Sequence, residues 1–118
     1  QVYIKQYINN YNEKHGTNIS FVTAFIEHLI LVTAIHRKNM YLIVREMLEN
    51  LNERKSDLQV KLDYIPKDKL ELTFYAEQNN IKELFSTSAI QRVGKLASAM
   101  HTDLQWAKHK MKVEIKLV

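Results

Sequence analysis

The 118-residue chain has no cysteine, which removes a disulfide framework and any thiolate metal site. It has two glycines, Gly16 and Gly94, and neither stands in a run that would make a P-loop or a nucleophile elbow. A Ser-His-Asp order is missing too, so hydrolytic catalysis has no support. The longest apolar stretch, Phe21 to Ile35, covers about 15 residues and is interrupted by Glu27 and His28, short of the roughly 20 needed to span a bilayer. That stretch is expected to lie in a protein core, and no membrane insertion is expected of this segment. Low-complexity and repeated segments are also lacking, which excludes disordered and collagen-like classes.

What is present is ordinary for a soluble globular domain: 46% apolar and 25% charged residues. The length suits one compact core rather than two. Beginning at Gln1 without a secretory leader, the sequence reads as a piece of a longer protein. The net charge of +4 is uneven, because residues 1–90 hold 11 basic and 11 acidic side chains and residues 91–118 hold 6 and 2. Lys108, Lys110, Lys112 and Lys116 with His109 therefore form a basic C-terminal quarter, readable either as an anion-binding surface or as the solvent side of a strand. None of the five histidines, at 15, 28, 36, 101 and 109, pairs with another at the i, i+4 spacing of a helical zinc site, so no metal is expected from them. His36 reads as a surface or loop histidine rather than a phosphoacceptor.

Val2, Tyr3, Tyr7, Ile8 and Tyr11 recur at helical spacing up to His15-Gly16, which predicts a helix over 2–15 with a packed tyrosine stripe. Residues 19–35 are too continuously apolar for periodicity to separate strand from helix. From Asn39, expected to serve as an N-cap, Met40, Ile43, Val44, Met47, Leu48 and Leu51 form one apolar face of a helix. Leu58, Val60, Leu62 and Tyr64, then Leu70, Leu72 and Phe74, alternate with polar residues on either side of Pro66-Lys67-Asp68, the pattern of a hairpin. A helix over roughly 88–101 follows from Ile90, Val93, Leu96, Ala97 and Met100, and a last strand from Met111, Val113, Ile115 and Leu117. Trp106 reads as a core or edge anchor. The order helix, hairpin, helix, strand predicts an α+β fold, a two-layer sandwich with helices on one face of a mixed sheet.

The first of these helices ends in Glu46-Met47-Leu48-Glu49-Asn50-Leu51-Asn52-Glu53-Arg54, and the second lies within Thr87-Ser88-Ala89-Ile90-Gln91-Arg92-Val93-Gly94-Lys95-Leu96 and its continuation. In that order, over most of residues 39–118, the segments resemble the ATP-binding domain shared by histidine kinases, gyrase and related ATPases, the GHKL or Bergerat fold. The resemblance puts Asn50 at the position that holds magnesium and Glu46 at the position that serves some relatives as general base. The spacing suits the chemistry, since residues four apart share a helix face and magnesium takes oxygen ligands. Where the family carries an Asp-x-Gly-x-Gly box that reads adenine, this chain has Ala76, Gln78 and Asn80. Where the family carries phosphate-binding glycines before the last helix, it has Thr87 and Ala89.

On the family template, residues 1–17 are a helix leading in from an upstream region and 18–118 the ATPase-like domain, with Ile19 to Phe25 a strand beside the hairpin. The resemblance implies a C-terminal histidine-kinase-like domain of a two-component sensor, its nucleotide pocket degenerate, acting through protein contacts with an upstream dimerisation region and a response regulator. No cofactor is expected in that case; ATP and magnesium are the pair an active site would take. The expected location is cytoplasmic, within a larger protein that is soluble or membrane-attached. Three alternatives stay open: a working ATP-binding kinase domain with a lid built from other residues, a basic nucleic-acid-binding module, and a generic ferredoxin-like interaction module. A strand at Ile19 to Phe25 separates the last of these from the ATPase-like fold.

Overall fold

The computed structural model describes residues 2–23, 34–51, 58–65 and 69–116. Helix α1 spans Val2–His15 and buries Ile4, Ile8 and Tyr11, spaced four and three apart as one helical face requires. Tyr3 is 69% exposed, so the expected tyrosine stripe is corrected at its first member: the inward turn belongs to Ile4. The helix stops where Gly16 takes φ of +64°, a left-handed conformation open to glycine without a Cβ clash. Asn12 then fixes the exit, its Nδ2 donating to the Ile19 carbonyl at 2.8 Å while its Oδ1 accepts from the Ile19 amide at 2.9 Å and the Thr17 hydroxyl at 2.8 Å.

That clamp delivers the chain into β1, Ser20–Thr23, which pairs in parallel with β2, Leu58–Ile65. A strand is thus present within the ambiguous apolar stretch, as the ATPase-like template requires and the ferredoxin-like alternative does not; residues 24–33 lie outside the described residues. Strand β3, Lys69–Ala76, pairs antiparallel with β2 from Leu58↔Ala76 to Ile65↔Lys69. The expected Pro66-Lys67-Asp68 turn falls outside the described residues. Strands β4, Leu104–Trp106, and β5, Lys110–Lys116, complete a five-stranded mixed sheet in the order β1-β2-β3-β5-β4.

Alternation along the strands puts Leu58, Val60, Leu62, Leu70, Leu72, Phe74, Met111, Val113 and Ile115 on one buried face, each contributing about 1.5–3 kcal/mol by leaving water. The helices cover that face. Helix α2 spans Ala34–Glu49 and buries Met40, Ile43, Val44, Met47 and Leu48 completely. Its start corrects the expected N-cap at Asn39: the chain is already helical at Ala34, so Asn39 and His36 both sit on the helix. Asparagine inside a helix costs at most about 0.7 kcal/mol relative to alanine, so its cap preference does not stop a helix that begins at Ala34. Helix α3 spans Thr87–Ala99 and seals the core with Ala89, Val93 and Ala97.

The opposite face of the sheet carries charge. Lys112 lies 3.2 Å from Glu114 and 3.7 Å from Glu71, Lys69 lies 3.7 Å from Glu114, and Lys61 lies 3.3 Å from Asp63. The Lys112 pKa is raised, chiefly by its hydrogen bond to Glu114 and then by the Glu71 charge. The fold is therefore an α+β two-layer sandwich with one wet face, the architecture expected from the order of elements. No helix among the described residues is long and apolar enough to cross a membrane.

Candidate nucleotide site

The two helices that would flank a nucleotide are α2 and α3, and three contacts fix how they lie. The Ser86 amide donates to the Asn50 carbonyl at 3.2 Å, Arg92 pairs with Glu46 through Nε and Oε1, and Leu42 shares a groove with Lys95 and Leu96. Positions descending along α2 thus meet positions ascending along α3, so the helices run antiparallel, with the end of α2 against the start of α3.

Glu46 and Asn50 are on one side of α2, as their spacing predicts, and they meet each other. Asn50 Nδ2 donates to the Glu46 carbonyl at 2.8 Å and lies 3.3 Å from its Oε1. The amide therefore turns back along its own helix and satisfies one of the carbonyls that a helix C-terminus leaves without a partner. The Glu46 carboxylate is taken by the guanidinium, with the Arg92 side chain 50% and the Glu46 side chain 24% exposed. Glu46 Oε1 is thus shared by Arg92 and the Asn50 amide.

The start of α3 is closed by similar local chemistry. Ser86 is the N-cap, and its Oγ accepts from the Ala89 amide at 3.1 Å. Helix N-termini bind phosphate through such unpaired amides, so the serine takes a donor that an anion would otherwise use. Phe85 forms an antiparallel bridge with Leu51, and a short 3₁₀ turn, Ile81–Leu84, precedes it. Only Phe85 and Ser86 separate that turn from α3.

The residues that the resemblance would set beside adenine lie at the end of β3. Ala76 is the last residue of β3 and fully buried. Its amide donates to the His109 carbonyl at 2.9 Å, and His109 Nδ1 lies 3.0 Å from the Ala76 carbonyl and 2.9 Å from that of Asn79. The turn between β4 and β5 is thereby pinned against the end of β3, reinforced by the Ile81 amide donating to the Lys108 carbonyl at 2.8 Å. Gln78 is exposed, and Asn80 caps the 3₁₀ turn by accepting from the Lys82 amide at 3.2 Å. Trp106 is half-buried against the core with Lys82 Nζ 5.4 Å from its ring centroid. No group of three or more metal-ligating side chains occurs among the described residues.

Sequence reasoning singled out Glu46 and Asn50 and missed Arg92, 46 residues away from Glu46. It also missed Ser86, although a serine directly before an apolar-periodic run is a readable N-cap signal. The partner of Glu46 had no such signal, since Arg92 reads as one more charge on an exposed helix face.

The fold is similar to that of the blue-light activated histidine kinase EL346 of Erythrobacter litoralis, with a TM-score of 0.68 at 12% identity, covering 98% of this chain and 41% of that one. It is similar as well to the separately solved histidine kinase domain of the same protein, with a TM-score of 0.62 at 12% identity over 98% of this chain and 60% of that one. The chain spans about two fifths to three fifths of the structures it matches, and at this identity the likeness is one of fold. No protein-family model and no curated protein matches the sequence.

Proposed function

We propose that the chain is a GHKL-type, histidine-kinase-like ATPase domain that has given up nucleotide and serves two-component signalling through protein contacts. The observation that carries this reading is the junction of α2 and α3: where the family would seat phosphate and magnesium, Asn50 and Ser86 are hydrogen-bonded to each other through the backbone. Asn50 Nδ2 is bonded to the Glu46 carbonyl and Glu46 Oε1 to Arg92, and the α3 N-terminus is capped by its own serine. ATP with magnesium fits poorly because Thr87 and Ala89 stand where phosphate-binding glycines would be, and a Cβ at those positions keeps phosphate from the backbone amides. The alternative of a working kinase needs a lid, yet only two residues join the 3₁₀ turn to α3.

On this reading α1 leads in from an upstream dimerisation region, a response regulator is a partner, and the domain works on the cytoplasmic side. Binding to nucleic acid is disfavoured because Lys112, central to the basic C-terminal quarter, is shared between Glu71 and Glu114. Isothermal titration with ATP and magnesium tests the core of the proposal. No heat of binding is expected up to millimolar nucleotide, and micromolar binding abolished by Asn50→Ala would overturn it.

A further inference from the structure

The same two helices that close the phosphate end leave an open groove further along, lined by Leu42 and Glu46 of α2 and by Arg92, Lys95 and Leu96 of α3. Leu42 and Leu96 are each half-buried, so the middle of the groove is apolar and accessible to a partner. One turn before Leu42 on the same stripe of α2 stands Lys38, which is exposed. Across the groove α3, with the sequence TSAIQRVGKLASA, has two basic residues and no acidic one. The groove and its rim thus carry Lys38, Arg92 and Lys95 against Glu46 alone, and Arg92 already neutralises that carboxylate. Among the described residues no carboxylate pairs with Lys95.

We propose that this groove docks an amphipathic helix of a partner protein, its apolar side chains resting on Leu42 and Leu96 and its carboxylates meeting Lys38 and Lys95. The inference rests on the reading of the domain as a protein-contact module and gives that reading a surface and a partner chemistry. A helix is the occupant that matches, because a groove between two antiparallel helices is straight and takes residues at i, i+3, i+4 and i+7 of a third helix. Acidic flanks are what the rim selects: exposed lysines beside an apolar floor steer carboxylates in and disfavour a basic helix by like-charge repulsion. A nucleotide is a poor match, since the aromatic or glycine-lined surfaces that hold a base and its phosphates are replaced here by two leucines.

The test uses the 118-residue chain and two synthetic 18-residue peptides with leucines at helical i, i+3, i+4, i+7 spacing, one flanked by glutamates and the other by lysines. Titration into ¹⁵N-labelled protein is expected to give saturable amide shifts at Leu42, Lys95 and Leu96 with the acidic peptide and none with the basic one. Lys95→Glu, on an exposed position that leaves the circular dichroism spectrum unchanged, is expected to weaken the acidic peptide roughly three- to tenfold. Equal binding of both peptides, shifts confined to another surface, absence of saturation, or displacement by a single-stranded DNA oligomer would each overturn the proposal. ATP with magnesium runs as a parallel arm: nucleotide binding sinks the closed-site reading, whereas failure of the peptide alone sinks the groove and leaves that reading standing.

Discussion

Asn50→Ala weakens the fold and leaves nucleotide response unchanged if the side chain is a helix terminator rather than a metal ligand. Its amide donates one hydrogen bond of 2.8 Å to the Glu46 carbonyl in a partly buried position, and a bond of this kind contributes about 0.5–1.5 kcal/mol net. Alanine retains the backbone carbonyl that accepts from Ser86, so no further loss is expected from that junction. In a domain of this size the change lowers the melting midpoint by about 4 °C. Urea unfolding followed by circular dichroism gives the free energy, and thermal unfolding with and without ATP and magnesium gives the ligand arm. A ligand at fifty times its dissociation constant would raise stability by about 2 kcal/mol, which is larger than the expected cost of the substitution. A shift of that size in the parent protein, lost in Asn50→Ala, refutes the structural role; so does a variant as stable as the parent.

Three other substitutions probe separate parts of the structure. Ser86→Ala removes the cap of α3 and is expected to cost about 1 kcal/mol, with Ser86→Asp restoring most of it in urea denaturation; a neutral alanine variant would show that the cap does not hold the helix start. Ile4→Ala is expected to cost about 2–4 kcal/mol, while Tyr3→Ser stays within about 0.5 kcal/mol, and the reverse order would place the buried face of α1 on the tyrosine stripe. Tyr7 donates to Glu49 Oε2 at 3.0 Å, and burial, then the hydrogen bond to Glu49, raises its pKa above the ordinary tyrosine value of 10.0. A raised folded-state pKa favours the protonated form, so its contribution is full below pH 10 and is lost as pH rises through the folded value. Tyr7→Phe is therefore expected to flatten the alkaline fall in stability above pH 10, measured by urea midpoints across pH; an unchanged slope would assign that fall to other groups.

Local periodicity carried much of the architecture. The face of α2 from Met40 to Leu48, the alternation in β2, β3 and β5, and the end of α1 at Gly16 are all legible, because each depends on residues two to four apart along one backbone; Leu51, expected on that face, lies past the end of α2 and bridges Phe85. The misses share a cause. Ile4 was hidden because tyrosine and isoleucine at adjacent positions fit the same helical stripe, and which of them turns inward depends on what α1 meets. Asn39 is of a type favoured at caps, yet the helix begins five residues earlier at Ala34. The apolar run from Phe21 onward was uninformative until β2 supplied a parallel neighbour for Ser20–Thr23.

For the candidate site, the sequence by itself determined which residues stand where the resemblance would put an aspartate and glycines: Ala76, and Gln78, Asn80, Thr87 and Ala89. It also placed Glu46 and Asn50 together, since a helix brings residues four apart onto one side. Only the tertiary structure decided what became of them. Arg92 reaches Glu46, Ser86 joins Asn50, and Leu42 faces Leu96 because two helices far apart in the chain pack antiparallel over one sheet face. That packing is set by the summed burial of the whole core, and no local pattern of residues encodes it.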